Sequence, residues 1–208
     1  MLGEADLLLW GDIDGRRRNL HGRSAITRDR HGVLKYPKSL CEACNTSRSR
    51  PLDLAYDEFS LAVRRARRWS RKLNLEAIYG QAWQFRSLDL GRYYAKHFGC
   101  RMVRTGIEVP GSLRAFLDGA VDLHDSTMTL CTTADVRRHL HWGLSITGDF
   151  IEADRDATEI RRCVMATFVG RVGVRYEWRA DATKAPTSFF HDARPRIARY
   201  RKDEDLLR

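Results

Sequence analysis

Cys41 and Cys44, separated by two residues, are the clearest candidates for chemistry in this sequence. Thiolates at this spacing can bind one tetrahedral zinc ion, and a closed structural site takes four ligands. The chain has no second Cys-x-x-Cys pair, so two further ligands must come from elsewhere. The candidates are His21, His31, His97 and Cys100. The alternative is two free thiols in a half-buried turn, because free cysteine behaves as a small apolar residue.

His21 and His31 are also the candidate catalytic residues. A metal-dependent nuclease needs a base with a pKa near neutrality and a carboxylate or imidazole on the metal. Asp12, Asp14 and Asp29 lie near these histidines in the sequence, so we predict a hydrolytic site that uses Mg²⁺ or a similar ion. The alternative is that each is an ordinary surface histidine at a turn.

A basic cluster within residues 64–72 indicates binding to phosphate. Its members are Arg64, Arg65, Arg67, Arg68, Arg71 and Lys72. Cations near the end of a helix also complement its dipole, but six in nine residues exceed that need. A phosphate-facing surface and a merely solvated helix face are the two interpretations.

Other constellations are weaker. His139 and His141 fall on the same side of a predicted strand, which is typical of a metal pair and also of an ordinary strand face. His97 lies one helical turn before Cys100, and we predict core packing because aromatic residues surround it. No glycine-rich phosphate loop of the P-loop or Rossmann kind occurs, so we expect no nucleotide cofactor.

Composition favours a globular protein with a polyanionic partner. The 208 residues include 37 Lys and Arg against 27 Asp and Glu, a formal charge of +10, and 43% are hydrophobic. A basic balance can also serve solubility alone. Five cysteines, widely spaced except for Cys41 and Cys44, and an N-terminus without signal-peptide features predict a cytoplasmic protein. We expect no membrane association, since no apolar run approaches 20 residues.

The elements that would position these residues can be read from local periodicity. Residues 7–12 and 24–36 predict two strands of a hairpin, and a helix is predicted from Asp53, its N-cap, with Phe59, Ala62 and Val63 on its apolar face. A second helix is predicted over 87–99, ending at Gly99, and a third over 112–117.

The C-terminal part is predicted to be rich in strands. The apolar, β-branched and aromatic stretches are residues 127–133, 139–148 and 161–180, followed by a charged, partly mobile tail from Asp192. The sequence therefore predicts an α+β fold in two domains. Residues 1–75 are predicted to form a finger of a hairpin and a helix, which includes the basic helix. Residues 76–208 are predicted to form a helical segment followed by an antiparallel β-rich part.

The stretch "LCEACNTSR" resembles the C-terminal half of the HNH endonuclease motif of bacterial and phage proteins. The resemblance covers residues 39–59 and implies a treble-clef, or ββα-metal, finger with structural zinc. It implies that Cys41 and Cys44 bind zinc, that Asn45 orients the finger by hydrogen bonds, and that Arg48 lies toward phosphate. In that family a histidine is the general base and a divalent ion bridges the scissile phosphate.

Two departures from this family bear on activity. The chain lacks the upstream Cys-x-x-Cys and the Asp-His, Glu-His or His-His dipeptide that usually carries the base. We therefore expect a truncated, mis-started or catalytically degenerate relative. Two classes remain: a metal-dependent endonuclease acting on DNA rather than RNA, and a non-catalytic zinc-stabilised module that binds nucleic acid or protein. Cleavage would need Mg²⁺, whereas simple binding would weaken with salt and ignore EDTA.

Overall fold

The computed structural model of this chain is an α+β protein, as the sequence predicts, with helices packed against a mixed β-sheet. It describes residues 6–9, 18–21, 42–65, 73–132, 144–146, 150–153, 159–169, 172–182 and 187–199. Within them the α-helices are α1 (Glu42–Asn45), α2 (Arg50–Arg65), α3 (Leu75–Tyr79), α4 (Trp83–Arg104) and α5 (Gly111–Leu117).

The strands of the described residues form one sheet. They are β1 (Asp6–Leu9), β2 (Arg18–His21), β3 (Ser126–Thr132), β4 (Leu144–Ile146), β5 (Phe150–Ala153), β6 (Ile160–Val169), β7 (Val172–Arg179) and β8 (Ala198–Arg199). Their order is β2-β1-β4-β6-β7-β3-β8, and β5 also pairs with β6. The pairs β3·β7, β4·β6, β5·β6 and β6·β7 are antiparallel, as predicted, whereas β1·β4 and β3·β8 are parallel.

Two short strands of the N-terminal part are described, β1 and β2. β1 pairs antiparallel with β2, and Asp6 lies opposite His21. The sequence placed the second strand at residues 24–36, which lie outside the described residues. β1 also pairs with β4, so the hairpin joins the sheet of the C-terminal part. The division into domains 1–75 and 76–208 stays a prediction.

One face of the central strands forms the main core with the helices. Met128 on β3 and Met165 on β6 flank Tyr176 on β7, and the Tyr176 ring stacks on Phe98 of α4 with centroids 5.0 Å apart. The α4 residues on this side recur every four positions and are fully buried: Leu90, Tyr94, Phe98 and Met102. The apolar surface removed from water at this contact stabilises the two layers together.

The opposite face of β6 is buried as well. Val164, Ala166 and Phe168 are 2%, 0% and 1% exposed. Phe168 lies directly across from Gly173 on β7, and a Cβ atom on Gly173 would lie 2.3 Å from Phe168 Cδ1. Burial on both faces explains why this strand has a nearly continuous apolar sequence rather than an alternating one.

Helix α2 carries the predicted apolar face, since Phe59 and Val63 are buried. Its start differs from the prediction: it begins at Arg50, and Asp53 lies in its first turn. Ser49 precedes it, accepts the Asp53 amide on its carbonyl at 2.9 Å and donates its hydroxyl to Asp53 Oδ2 at 3.1 Å. Serine and aspartate are both common at helix N-termini, so the residue type alone did not locate the start of this helix.

Helix α4 runs through Gly99, where the sequence predicted its end. Gly99 is buried inside the helix, and a Cβ atom there would lie 3.8 Å from Val109 Cγ1 and 3.9 Å from Leu113 Cδ2. This glycine therefore lies where α5 packs closely on α4. None of the described helices is both long and apolar enough to cross a membrane.

Candidate nucleic-acid interface

Cys44 and Arg48 face each other across one turn at the end of α1. Arg48 Nη1 donates to Cys44 Sγ at 3.8 Å, and Arg48 Nη2 lies 3.4 Å from Asp118 Oδ1. The hydrogen bond and charge of Cys44, together with the charge of Asp118, raise the pKa of Arg48. Arg48 is exposed, as a phosphate contact requires, but part of its guanidinium faces these two neighbours.

Asn45 lies at the C-terminal end of α1 and is exposed. Its backbone carbonyl accepts the Ser49 hydroxyl at 3.0 Å, which links α1 to the start of α2. This bond is made by the main chain and would form with any residue at this position, so the orienting role of Asn45 stays a prediction.

The predicted metal ligands fall largely outside the described residues. Cys41 and His31 lie outside them, and His21 is described only as part of β2. Among the described side chains, no group of three His, Cys, Asp or Glu residues could hold a metal ion. His139 and His141 also lie outside the described residues. The zinc and magnesium sites therefore stay predictions.

Two members of the basic cluster are described, at the last turn of α2. Arg65 is exposed. Arg64 is half-buried, its Nε atom is buried and has no hydrogen-bond partner among the described residues, and its charge acts on the Tyr56 hydroxyl. Burial raises the pKa of Tyr56 to about 12, although the Arg64 charge opposes this. Arg65 is therefore available to a phosphate, whereas the Arg64 charge also acts on Tyr56 between α2 and α4. Arg67, Arg68, Arg71 and Lys72 lie outside the described residues.

An aromatic layer between α2 and α4 supports this end of the interface. Tyr56 stacks on Tyr93 with ring centroids 4.0 Å apart, and Tyr94 meets both rings edge-on. His97 lies against Tyr93 at 4.6 Å, and Lys96 Nζ lies 3.4 Å from Asp53 Oδ1 on α2. His97 thus packs within this aromatic layer, as the sequence predicts, and burial, followed by the Lys96 charge, lowers its pKa to about 4.

The lowered pKa of His97 predicts an acid-sensitive fold. The unfolded chain takes up a proton on this histidine below about pH 6.5, while the folded chain accepts it only near pH 4. The associated stability is complete above pH ~6.5 and is lost as the pH falls toward 4, by on the order of 3 kcal/mol. In urea unfolding at a series of pH values, His97→Gln is expected to lose less stability than the wild type over this interval.

The matched control is His124→Gln, because His124 is exposed. It should follow the wild type at every pH. Equal losses for His97→Gln and the wild type between pH 7 and pH 4 would contradict the assignment.

The second face of the sheet carries an ion triad. Glu177 on β7 accepts from Arg162 Nε at 2.8 Å and from Arg175 Nη1 at 2.6 Å. Burial raises the pKa of Glu177, but the two arginines outweigh it and the net shift is downward. The group is mostly buried, and breaking such a pair leaves an uncompensated charge, so we assign it a role in holding β6 to β7.

Sequence reasoning missed a second basic segment at the C-terminal end of the described chain. Arg194, Arg196 and Arg199 are exposed, while Pro195 and Ile197 between them are buried. This part of the tail was predicted to be partly mobile, but the Ala193 and Pro195 carbonyls accept backbone hydrogen bonds, and Ala198–Arg199 form β8. The alternation of arginine with Pro and Ile in "RPRIAR" was the signal that could have found it.

The described fold and surface thus define an α+β protein with a basic helix end and a basic extended segment. No family model, curated protein sequence or solved structure matches this chain.

Proposed function

We propose that this chain is a nucleic-acid-binding protein resembling the HNH endonucleases, and that its partner is duplex DNA. The observation that carries the proposal is the basic cluster, six cations in nine residues, whose first two members, Arg64 and Arg65, end α2 and of which Arg65 is exposed. Arginine forks match phosphate oxygens, and the formal charge of +10 favours a polyanion over the whole molecule. Arg48 adds a further exposed cation near the start of the same helix.

In this proposal a zinc ion stabilises the turn before α2, and Cys41 and Cys44 are two of its ligands. The described part of the site fits thiolate chemistry. Cys44 is half-buried, and its sulfur already accepts an N–H group from Arg48, a role that a thiolate fulfils better than a thiol. The remaining two ligands are to be found among the histidines and cysteines named from the sequence.

The proposed reaction is hydrolysis of a DNA phosphodiester. His31, with His21 as the alternative, takes a proton from a water molecule as the water oxygen forms a bond to phosphorus. The bond from phosphorus to the leaving oxygen breaks, and that oxygen takes up a proton from solvent. A divalent ion such as Mg²⁺, when bound, supplies stabilisation of the charge on the scissile phosphate. Arg48 and the basic cluster hold the flanking phosphates and orient the strand.

Binding and cleavage are tested separately. Fluorescence anisotropy with a duplex oligonucleotide, from about 50 to 200 mM salt without Mg²⁺, is expected to give a log–log slope of about −4 or steeper. Nicking of supercoiled plasmid by the wild type is expected only when Mg²⁺ is added, and His31→Ala is expected to abolish it.

The outcomes separate the two classes of function. Salt-dependent binding without any Mg²⁺-dependent nicking would assign the chain to non-catalytic nucleic-acid modules. Nicking that persists in His31→Ala would exclude His31 as the base. Absence of salt-dependent binding by the wild type would overturn the proposed function altogether.

A further inference from the structure

Asp118 contacts the arginine that the proposed function assigns to a phosphate. Asp118 Oδ1 lies 3.4 Å from Arg48 Nη2, and Cys44 Sγ accepts the Arg48 Nη1 group at 3.8 Å. Arginine binds phosphate through the same fork of terminal N–H groups. A carboxylate at Nη2 therefore takes up a position that a phosphate oxygen would need.

The turn that carries Asp118 is held in place by backbone contacts. The Asp118 amide donates to the Arg114 carbonyl at 3.0 Å, at the end of α5. On the other side of the turn, Arg92 Nη2 of α4 donates to the Gly119 and Ala120 carbonyls, each at 3.2 Å. The Arg92 side chain is itself mostly buried. The Asp118 carboxylate is thus presented from a fixed main chain, and it loses less freedom on pairing than it would on a mobile loop.

The same contact is open to solvent and is therefore reversible. The Arg48 and Asp118 side chains are 60% and 70% exposed. Water can solvate both groups when they part, so breaking this pair costs far less than breaking the mostly buried pair of Arg162 and Glu177. A DNA phosphate, which releases a counterion as it binds, can displace the carboxylate. The negative charge of Asp118 still lies next to the bound phosphate and opposes binding.

We propose that Asp118 is an autoinhibitory carboxylate, which holds Arg48 in the free protein and must release it when duplex DNA binds. The inference deepens the proposed function and rests on it, since it requires that Arg48 contacts a phosphate. Asp118 acts twice: it competes for the guanidinium before binding, and it repels the phosphate afterwards. Both contributions lower the affinity, so removal of this negative charge strengthens binding.

The test compares Asp118→Asn with Glu108→Gln in the full chain, by anisotropy with the same duplex at about 50 mM salt without Mg²⁺, where screening is weak. Glu108 is the matched control, because its Oε1 lies 3.3 Å from Arg114 Nη2 and both side chains are exposed. Each variant removes one negative charge and one exposed ion pair, but only Asp118→Asn frees Arg48. Asp118→Asn is expected to tighten binding about threefold to fivefold, and Glu108→Gln less than about twofold.

The same comparison in an Arg48→Gln background separates release of the arginine from general repulsion. There Asp118→Asn is expected to gain no more affinity than Glu108→Gln, because no guanidinium is left to release. Thermal unfolding of every variant checks the fold, and Asp118→Ser takes the place of Asp118→Asn if the asparagine variant unfolds early.

A gain by Asp118→Asn that exceeds the control and disappears with Arg48→Gln is the supporting result. Equal gains by Asp118→Asn and Glu108→Gln would overturn the autoinhibitory role and leave the proposed function standing, and so would a gain that survives Arg48→Gln. A wild type without salt-dependent binding would overturn both.

Discussion

Replacing Arg65, Arg67, Arg68, Arg71 and Lys72 together with glutamine is expected to weaken binding to duplex DNA by about a hundredfold or more near 150 mM salt. Neutralised phosphates release their counterions, and the release accounts for most of the affinity of a non-specific contact. Loss of five such contacts should lower the slope of log K against log salt by about 4 to 5. Anisotropy titrations over a salt series measure both quantities.

Arg64 is left unchanged in this variant for a structural reason. Its Nε atom is buried and its charge acts on Tyr56, so its replacement would disturb the aromatic layer between α2 and α4. The control replaces Arg114, Arg161 and Arg179, which are exposed on α5, β6 and β7. If the slope fell by the same amount per removed charge in both variants, the net charge of the protein would explain binding, and the basic cluster would have no special role.

Gly173→Ala is expected to lower the free energy of unfolding by about 2 to 3 kcal/mol. The added methyl carbon would lie 2.3 Å from Phe168 Cδ1 and 2.5 Å from Cε1. Phe168 is 1% exposed, and it lies on a face of β6 whose neighbours Val164 and Ala166 are also buried. The ring therefore cannot move aside without displacing packed atoms, and interiors at this density transmit the strain.

Gly111→Ala is the matched control, because it adds the same methyl group where no atom lies within 4 Å. Gly111 begins α5, and alanine favours helix over glycine, so this change should be neutral or stabilise by about 0.5 kcal/mol. Urea unfolding of both variants and the wild type measures the difference in midpoint. Equal midpoints for Gly173→Ala and the wild type would show that the close contact relaxes at no cost.

Local periodicity in the sequence predicted helix α2 and strand β6. The buried face of α2 at Phe59 and Val63 follows from spacings of three and four, and the apolar run of β6 predicted a strand. The parallel pairs β1·β4 and β3·β8 could not be predicted, because the register of strands distant in sequence leaves no local pattern. Gly99 was misread as a helix end because a glycine inside a helix and a glycine that ends one look alike in the sequence, and only the structure shows that α4 continues to Arg104.

The candidate site was predictable to a similar degree. The contact between Cys44 and Arg48 follows from their spacing of four residues, and the exposure of Arg65 from its place opposite the buried face of α2. Arg64 is partly buried, and Arg194 lies beside Leu73, because of tertiary packing. Neither feature could be predicted from local sequence. The composition showed that the tail is charged. Only the folded structure shows that Ile197 is buried and that this part of the tail therefore packs on the rest of the protein.

The hydrogen bond between Leu73 and Pro195 also has a consequence for synthesis of the chain. The two residues are far apart in sequence, so Pro195 leaves the ribosome long after Leu73. Closing so long a loop comes late, because its entropy cost precedes the contacts that repay it. Leu73 and Leu75 are therefore synthesised early but make their hydrogen bonds to the C-terminal segment only once that segment has docked. A nascent chain stalled before Asp192 should leave both amides without these carbonyl partners.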